Sequence, residues 1–199
     1  MEDIHTEPPL SEIPNRIARI KEQITSIAVK AGRDPEAINL MAVSKYHPAQ
    51  AVRIALDCGH RLFGENRVQE AAQKYPELKS IHPDLSIHLI GPLQTNKVRQ
   101  AAALFDVIET LDRPNLARAL AKERDRTGQC PEVFIQINTG QEPQKSGIDP
   151  LVADEFIEQV REEFQLPLTG LMCIPPADEE PAMHFALLAE CARRHGISK

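Results

Sequence analysis

Six short apolar, β-branched runs recur along this chain with helix-length amphipathic stretches between them, and few folds accept that rhythm. The runs are Ile38–Ser44, Arg61–Gly64, Ile87–Leu93, Val107–Leu111, Val133–Thr139 and Leu168–Ile174. Each is too short for a typical helix and most are bounded by turn residues, so they predict buried strands. The stretches between them carry helix start signals: Pro48 ahead of Val52 and Leu56, Asp112 with Pro114 ahead of Leu116 and Leu120, and Asp149-Pro150 ahead of Phe156 and Val160. Before the series, Ile13, Ile17, Ile20, Ile24 and Ile27 stand three or four residues apart. That spacing predicts one face of an N-terminal helix over residues 12–32, stopped by Gly32, with residues 1–11 as a flexible N-terminus.

Alternating strand and helix implies parallel strands joined by helical crossovers, either in a closed (β/α) barrel or in an open doubly wound sheet. Periodicity does not choose between them. The Gly-x-Gly-x-x-Gly fingerprint of a dinucleotide-binding sheet is absent after the first run, which lowers the open-sheet reading. At ~26 residues per unit, an eight-unit barrel would reach roughly residue 246. The 199 residues are therefore expected to hold six of eight βα units, ending within the sixth. With 42% hydrophobic and 26% charged residues, the chain can bury one sizeable core, and a single domain over 1–199 is expected.

No apolar run approaches the ~18 residues of a membrane helix. The acidic, proline-bearing start is unlike a secretory signal. A cytoplasmic location without membrane contact is expected. A formal net charge of -6 with scattered Lys and Arg offers no basic stripe for nucleic acid. Cys58, Cys130, Cys173 and Cys191 form no C-x-x-C pair, and without histidines at ligand spacing they predict no metal site. They read as reduced, semi-buried packing residues.

In parallel α/β proteins functional groups collect where strands end. Lys45 closes the first run, and alternation puts Met41, Val43 and Lys45 on one face, so an interior face would aim the amine into a barrel mouth. Partial desolvation there suits a Schiff-base lysine; a solvated strand-end lysine is the alternative. Asn66, after Phe63-Gly64-Glu65, offers an amide to a ligand or a helix cap. His88 reads as a base or as a satisfied core histidine. Gln136 and Asn138 share a face of the fifth run and need partners, of which a polar ligand is one. The loop Thr139–Gly147, carrying Lys145, also reads as ordinary surface. Glu162-Glu163 and Asp178-Glu179-Glu180 read as solvated faces.

Together, Ala42-Val43-Ser44-Lys45, Phe63-Gly64-Glu65-Asn66 with Val68-Gln69-Glu70, His88-Leu89-Ile90-Gly91 with Leu93-Gln94 and Asn96-Lys97, Lys145-Ser146-Gly147-Ile148 and Gly170-Leu171-Met172 resemble the pyridoxal phosphate homeostasis protein family. The resemblance spans the chain from about Ile13 onward. It implies a (β/α)8 TIM-type barrel of the alanine racemase kind, the type III fold of pyridoxal phosphate proteins, here without the racemase's second, β-rich domain. It implies pyridoxal 5'-phosphate held as a Schiff base on Lys45, with Asn66, His88 and Met172 around it and no catalytic residue. Lys145 falls in a family segment as a second lysine near the mouth or a loop residue. Family members continue into a Ser-Met-Gly-Met-Ser strand and an Arg-x-Gly-x-x-Ile-Phe-Gly strand that supply much of the phosphate grip, and neither is present here.

Three functions compete. The first is a non-catalytic cofactor carrier, monomeric in its full-length form, whose partners would be pyridoxal phosphate and the apoenzymes that need it. The second is an amino-acid racemase, which requires two bases on opposite faces of the substrate carbon. The third is a cofactor-free Schiff-base aldolase using Lys45 directly.

Overall fold

The computed structural model describes residues 9–199, which form six strands and seven α-helices joined by short 3-10 turns. The expected flexible N-terminus lies, for residues 1–8, outside the described residues; Leu10–Glu12 form a 3-10 turn. The chain divides into two compact units, Met1–Gly64 with Gln73–Ser86, and Glu65–Ala72 with Ile87–Lys199.

In the first unit, α1 (Ile13–Lys30) ends where Gly32 takes a left-handed φ of 67°, the stop that the sequence predicts. Its isoleucine stripe is only partly covered, because Ile13, Ile17 and Ile24 are half-buried whereas Ile20 and Ile27 are exposed. Strand β1 is only Ala42–Val43 and pairs in parallel with β2 (Leu62–Glu65), Ala42 opposite Phe63 and Val43 opposite Gly64. Between them α2 (Ala49–Asp57) starts after Pro48 and buries Ala51, Val52, Ala55 and Leu56. Helix α3 (Val68–Ile81) contributes its later turns to this unit, with Tyr75 and Leu78 fully buried.

The second unit carries β3 (Ser86–Leu89), β4 (Val107–Leu111), β5 (Glu132–Gln136) and β6 (Leu168–Met172) as successive parallel neighbours. Crossovers run through α4 (Val98–Leu104), α5 (Pro114–Thr127) and α6 (Ala153–Glu162), and α7 (Pro181–Arg194) follows β6. Alternation sorts the strands into two faces. Ile87, Leu89, Ile108, Val133 and Ile135 are completely covered, with Leu116, Leu120, Ile157 and Val160 from the helices equally buried. Each such side chain contributes about 1.5–3 kcal/mol. The opposite face carries half-buried His88, Glu132 and Phe134. Gly170 pairs with Phe134, and a Cβ there would stand 2.6 Å from its ring, so this strand glycine makes room for the aromatic. The last residues run beside β6, with Leu171 N–H donating to Lys199 O at 3.1 Å and Lys199 N–H to Thr169 O at 3.3 Å.

The start signals act as anticipated. Pro114 opens α5, Gly128 caps it with φ 73°, and the Asp149 carboxylate accepts from Leu151 N–H at 2.9 Å before α6. Glu162 and Glu163 are exposed, as are Asp178, Glu179 and Glu180, the last capping α7. No helix among the described residues is long and apolar enough to cross a membrane.

Candidate functional site

Lys45 lies two residues past β1, half-buried, in a turn closed by the His47 N–H donating to Ser44 O at 3.1 Å. Tyr46 occupies the third turn position with φ 66°, a place that usually takes glycine. Left-handed backbone at a non-glycine residue costs of order 1–3 kcal/mol and persists only where surroundings impose it. Here they do. Ser44, 6% exposed, donates its N–H to Gly64 O at 3.0 Å, its hydroxyl lies 2.6 Å from the Tyr75 hydroxyl, and its carbonyl accepts from Lys74 Nζ at 2.8 Å. As alternation predicts, Ser44 is buried while Val43 before it is 44% exposed.

Asn66 follows directly on β2 and is half-buried. Its backbone lies against Gly91, and Ile90 N–H donates to Glu65 O at 2.9 Å just before it. His88, in β3, holds Glu109 through Nδ1 at 2.6 Å, both side chains 12% exposed, and its ring stands edge-on to Phe134 with centroids 6.2 Å apart. Glu109 is a residue that sequence reading passes over, although a lone carboxylate inside Val107–Leu111 was a visible signal. Met172 ends β6, half-buried and opposite Gln136.

Gln136, the last residue of β5, and Asn138, two residues beyond it, find their amide partners within the protein. Gln136 donates to Ser146 O at 3.1 Å, while Asn138 donates to Glu142 O at 2.9 Å and accepts from Glu142 N–H at 3.2 Å. They tie the loop after β5 back onto the sheet, where Ile137 and Ile148 form an isolated parallel bridge. Lys145 is held in that loop by the Glu142 carboxylate and donates to Pro175 O at 3.4 Å.

Two expectations about the cysteines need correction. Cys58 is exposed rather than semi-buried, because it sits at the C-terminal cap of α2 beyond its covered face. Cys191 does have a histidine at ligand spacing: His195, one helical turn on, joins it and Asp154 in a cluster whose ligand atoms lie within 4.8 Å of one another. His195 Nε2 is 2.8 Å from the Asp154 carboxylate, and Arg194 reaches both of its oxygens at 2.7 and 3.0 Å. The guanidinium holds the Asp154 carboxyl below its usual range, and its positive charge opposes a cation there.

The profile of the alanine racemase N-terminal domain matches residues 16–195, the span that holds these parallel βα repeats. The Clostridium difficile alanine racemase shares that fold alone, with 14% identity and a TM-score of 0.68 over 90% of this chain and 47% of that one. Nearer relatives are more specific. The pyridoxal phosphate homeostasis protein of Escherichia coli is 39% identical over 184 residues, covering 92% of this chain and 79% of that protein. The structure of PipY from Synechococcus elongatus with PLP bound matches at 34% identity and a TM-score of 0.76, over 92% of this chain and 82% of that one. This chain belongs to the pyridoxal phosphate homeostasis protein family.

Proposed function

We propose that the chain binds pyridoxal 5'-phosphate on Lys45 and serves intracellular homeostasis of that cofactor without appreciable catalysis of its own. One observation carries the reading: a half-buried primary amine stands on a braced turn just past β1, in a chain 34% identical to a relative whose structure contains PLP. The donor chemistry fits. The Lys45 amine adds to the aldehyde carbon, and loss of one water leaves a C=N bond that hydrolysis reverses. Asn66, His88 and Met172 are proposed as further cofactor contacts on the family motif, each testable by its own substitution. The proposed partners are apoenzymes that take up the cofactor, in the cytoplasm, with the full-length form monomeric.

A racemase reading has less support, since its likeness rests on relatives sharing only 14–19% identity. A cofactor-free aldolase using Lys45 is separated by the absorption spectrum before and after pyridoxal phosphate is added. The deciding experiment is borohydride reduction of the loaded protein followed by peptide mass mapping. A pyridoxyl adduct on Lys45 that disappears in Lys45→Ala supports the assignment; label chiefly on Lys145 or Lys97 overturns it. Alanine racemisation within the ordinary enzymatic range of roughly 1–10³ s⁻¹ would move the chain into the racemase class.

A further inference from the structure

We infer that Lys74 and Tyr75, on α3, are positioning residues for Lys45: they pin the first residue of its turn so that the amine leaves the backbone in one fixed direction. This rests on the proposed attachment at Lys45 and adds to it two residues from a different element.

Both residues reach Ser44 through polar atoms. Lys74 is only 9% exposed, and its ammonium donates to the backbone carbonyl Ser44 O at 2.8 Å. A hydrogen bond is directional where apolar packing is not, so this contact fixes the position of the Ser44 carbonyl. Tyr75 is wholly buried, its ring tilted against Phe63 at 6.2 Å, and its hydroxyl ends on the Ser44 Oγ at 2.6 Å. Phe63 in turn pairs with Ala42 across β1 and β2.

Ser44 is therefore held at every polar atom it owns: N–H by Gly64, carbonyl by Lys74 and His47, hydroxyl by Tyr75. The left-handed Tyr46 follows one residue beyond Lys45. A turn that strained would relax if its first residue were free, and the amine would then sample several directions. Holding a nucleophile within a narrow cone raises its effective concentration toward a bound electrophile. The same logic makes the covalent step, rather than cofactor uptake as such, the quantity that Lys74 and Tyr75 control.

The test measures two quantities separately on the full chain: total pyridoxal phosphate bound, by equilibrium dialysis, and the fraction reducible by borohydride onto Lys45, by mass spectrometry. Tyr75→Phe and Lys74→Met should lower the rate of adduct formation and the covalent fraction of bound cofactor by about 2- to 12-fold each, the equivalent of one net hydrogen bond. Lys74→Arg, which keeps a donor, should recover most of that loss. A role in packing alone would lower the melting temperature and total binding while leaving the covalent fraction of bound cofactor at the wild-type value. Should Lys74→Met fail to fold, Tyr75→Phe and Ser44→Ala, each removing a single hydroxyl, carry the test. If the wild type forms no adduct on Lys45, the underlying attachment fails. If the wild type forms it and the variants match its rate and fraction, the attachment stands and the positioning role is wrong.

Discussion

Gly91 lies so close to the backbone of Asn66 that a Cβ at position 91 would stand 2.3 Å from the Asn66 carbonyl oxygen and 2.7 Å from its Cα. Neither atom belongs to a side chain that could swing aside. The Gly91 carbonyl also accepts the Thr110 hydroxyl at 2.8 Å, so the glycine has little room to retreat. Gly91→Ala should cost about 1–3 kcal/mol, as overpacking does, read as a lower urea midpoint. The Asn66 amide resonance should move with it.

The His88–Glu109 pair should behave as a unit, because each side chain is 12% exposed. Removing the carboxylate leaves a buried imidazole N–H without its acceptor, at about 1–3 kcal/mol. Glu109→Ala should therefore destabilise the protein more than Glu109→Gln, which retains an acceptor. In a double-mutant cycle with His88→Leu, the two losses should sum to more than the double mutant's, by about 0.5–3 kcal/mol. Additive losses in chemical denaturation would show that the pair is not coupled.

His60 supplies a pH signature. It is 4% exposed, edge-on to Phe63 at 5.2 Å, with Nε2 2.7 Å from Leu62 O. Burial pushes its pKa below the usual histidine value, against the opposing pull of the Leu62 carbonyl. The unfolded chain then takes up the proton first as the pH falls. The contribution of a neutral His60 is complete above the unfolded value near 6.5 and is lost as the pH falls through the lower folded value. The stability difference between wild type and His60→Gln should therefore shrink between pH 7.5 and pH 5, measured by urea midpoints along the series.

The cysteines should separate by reactivity. Burial raises the Cys130 thiol to about 11, which at pH 8 leaves roughly one molecule in a thousand as the nucleophilic thiolate. Burial also raises the Cys173 thiol, whereas Cys58 is exposed at a helix end. Iodoacetamide at pH 8 should label Cys58 first and Cys130 slowly. Early modification of Cys130, mapped by mass spectrometry, would contradict the burial seen here.

Much of this fold was legible because local pattern and tertiary position agree. All six apolar runs became strands, and helix starts at Pro48, Pro114 and Asp149 fell where proline and capping chemistry put them. Strand ends were less visible. Ile38–Ser44 shrank to Ala42–Val43, since pairing with β2 sets the strand and the turn at Tyr46 ends it. What the sequence could not show is contact at a distance. Ser44 meets Tyr75 thirty-one residues away, and His88 meets Glu109 across twenty-one. The pattern shows that the amides of Gln136 and Asn138 need partners, but not that backbone atoms of their own loop supply them. Cys191 and His195 stand at helical spacing in the sequence, whereas nothing local links them to Asp154, thirty-seven residues before Cys191.

The tether between β5 and its following loop has a further consequence. Gln136 and Asn138 grip only main-chain groups, the carbonyls of Ser146 and Glu142 and the N–H of Glu142. Every amino acid offers the first two, and every one except proline offers the third. The anchoring is thus blind to which side chains the loop displays. Substitutions at Pro143 or Gln144 can redecorate this exposed stretch while its attachment to the sheet stays unchanged, so related chains are free to diverge here in what they present to their surroundings.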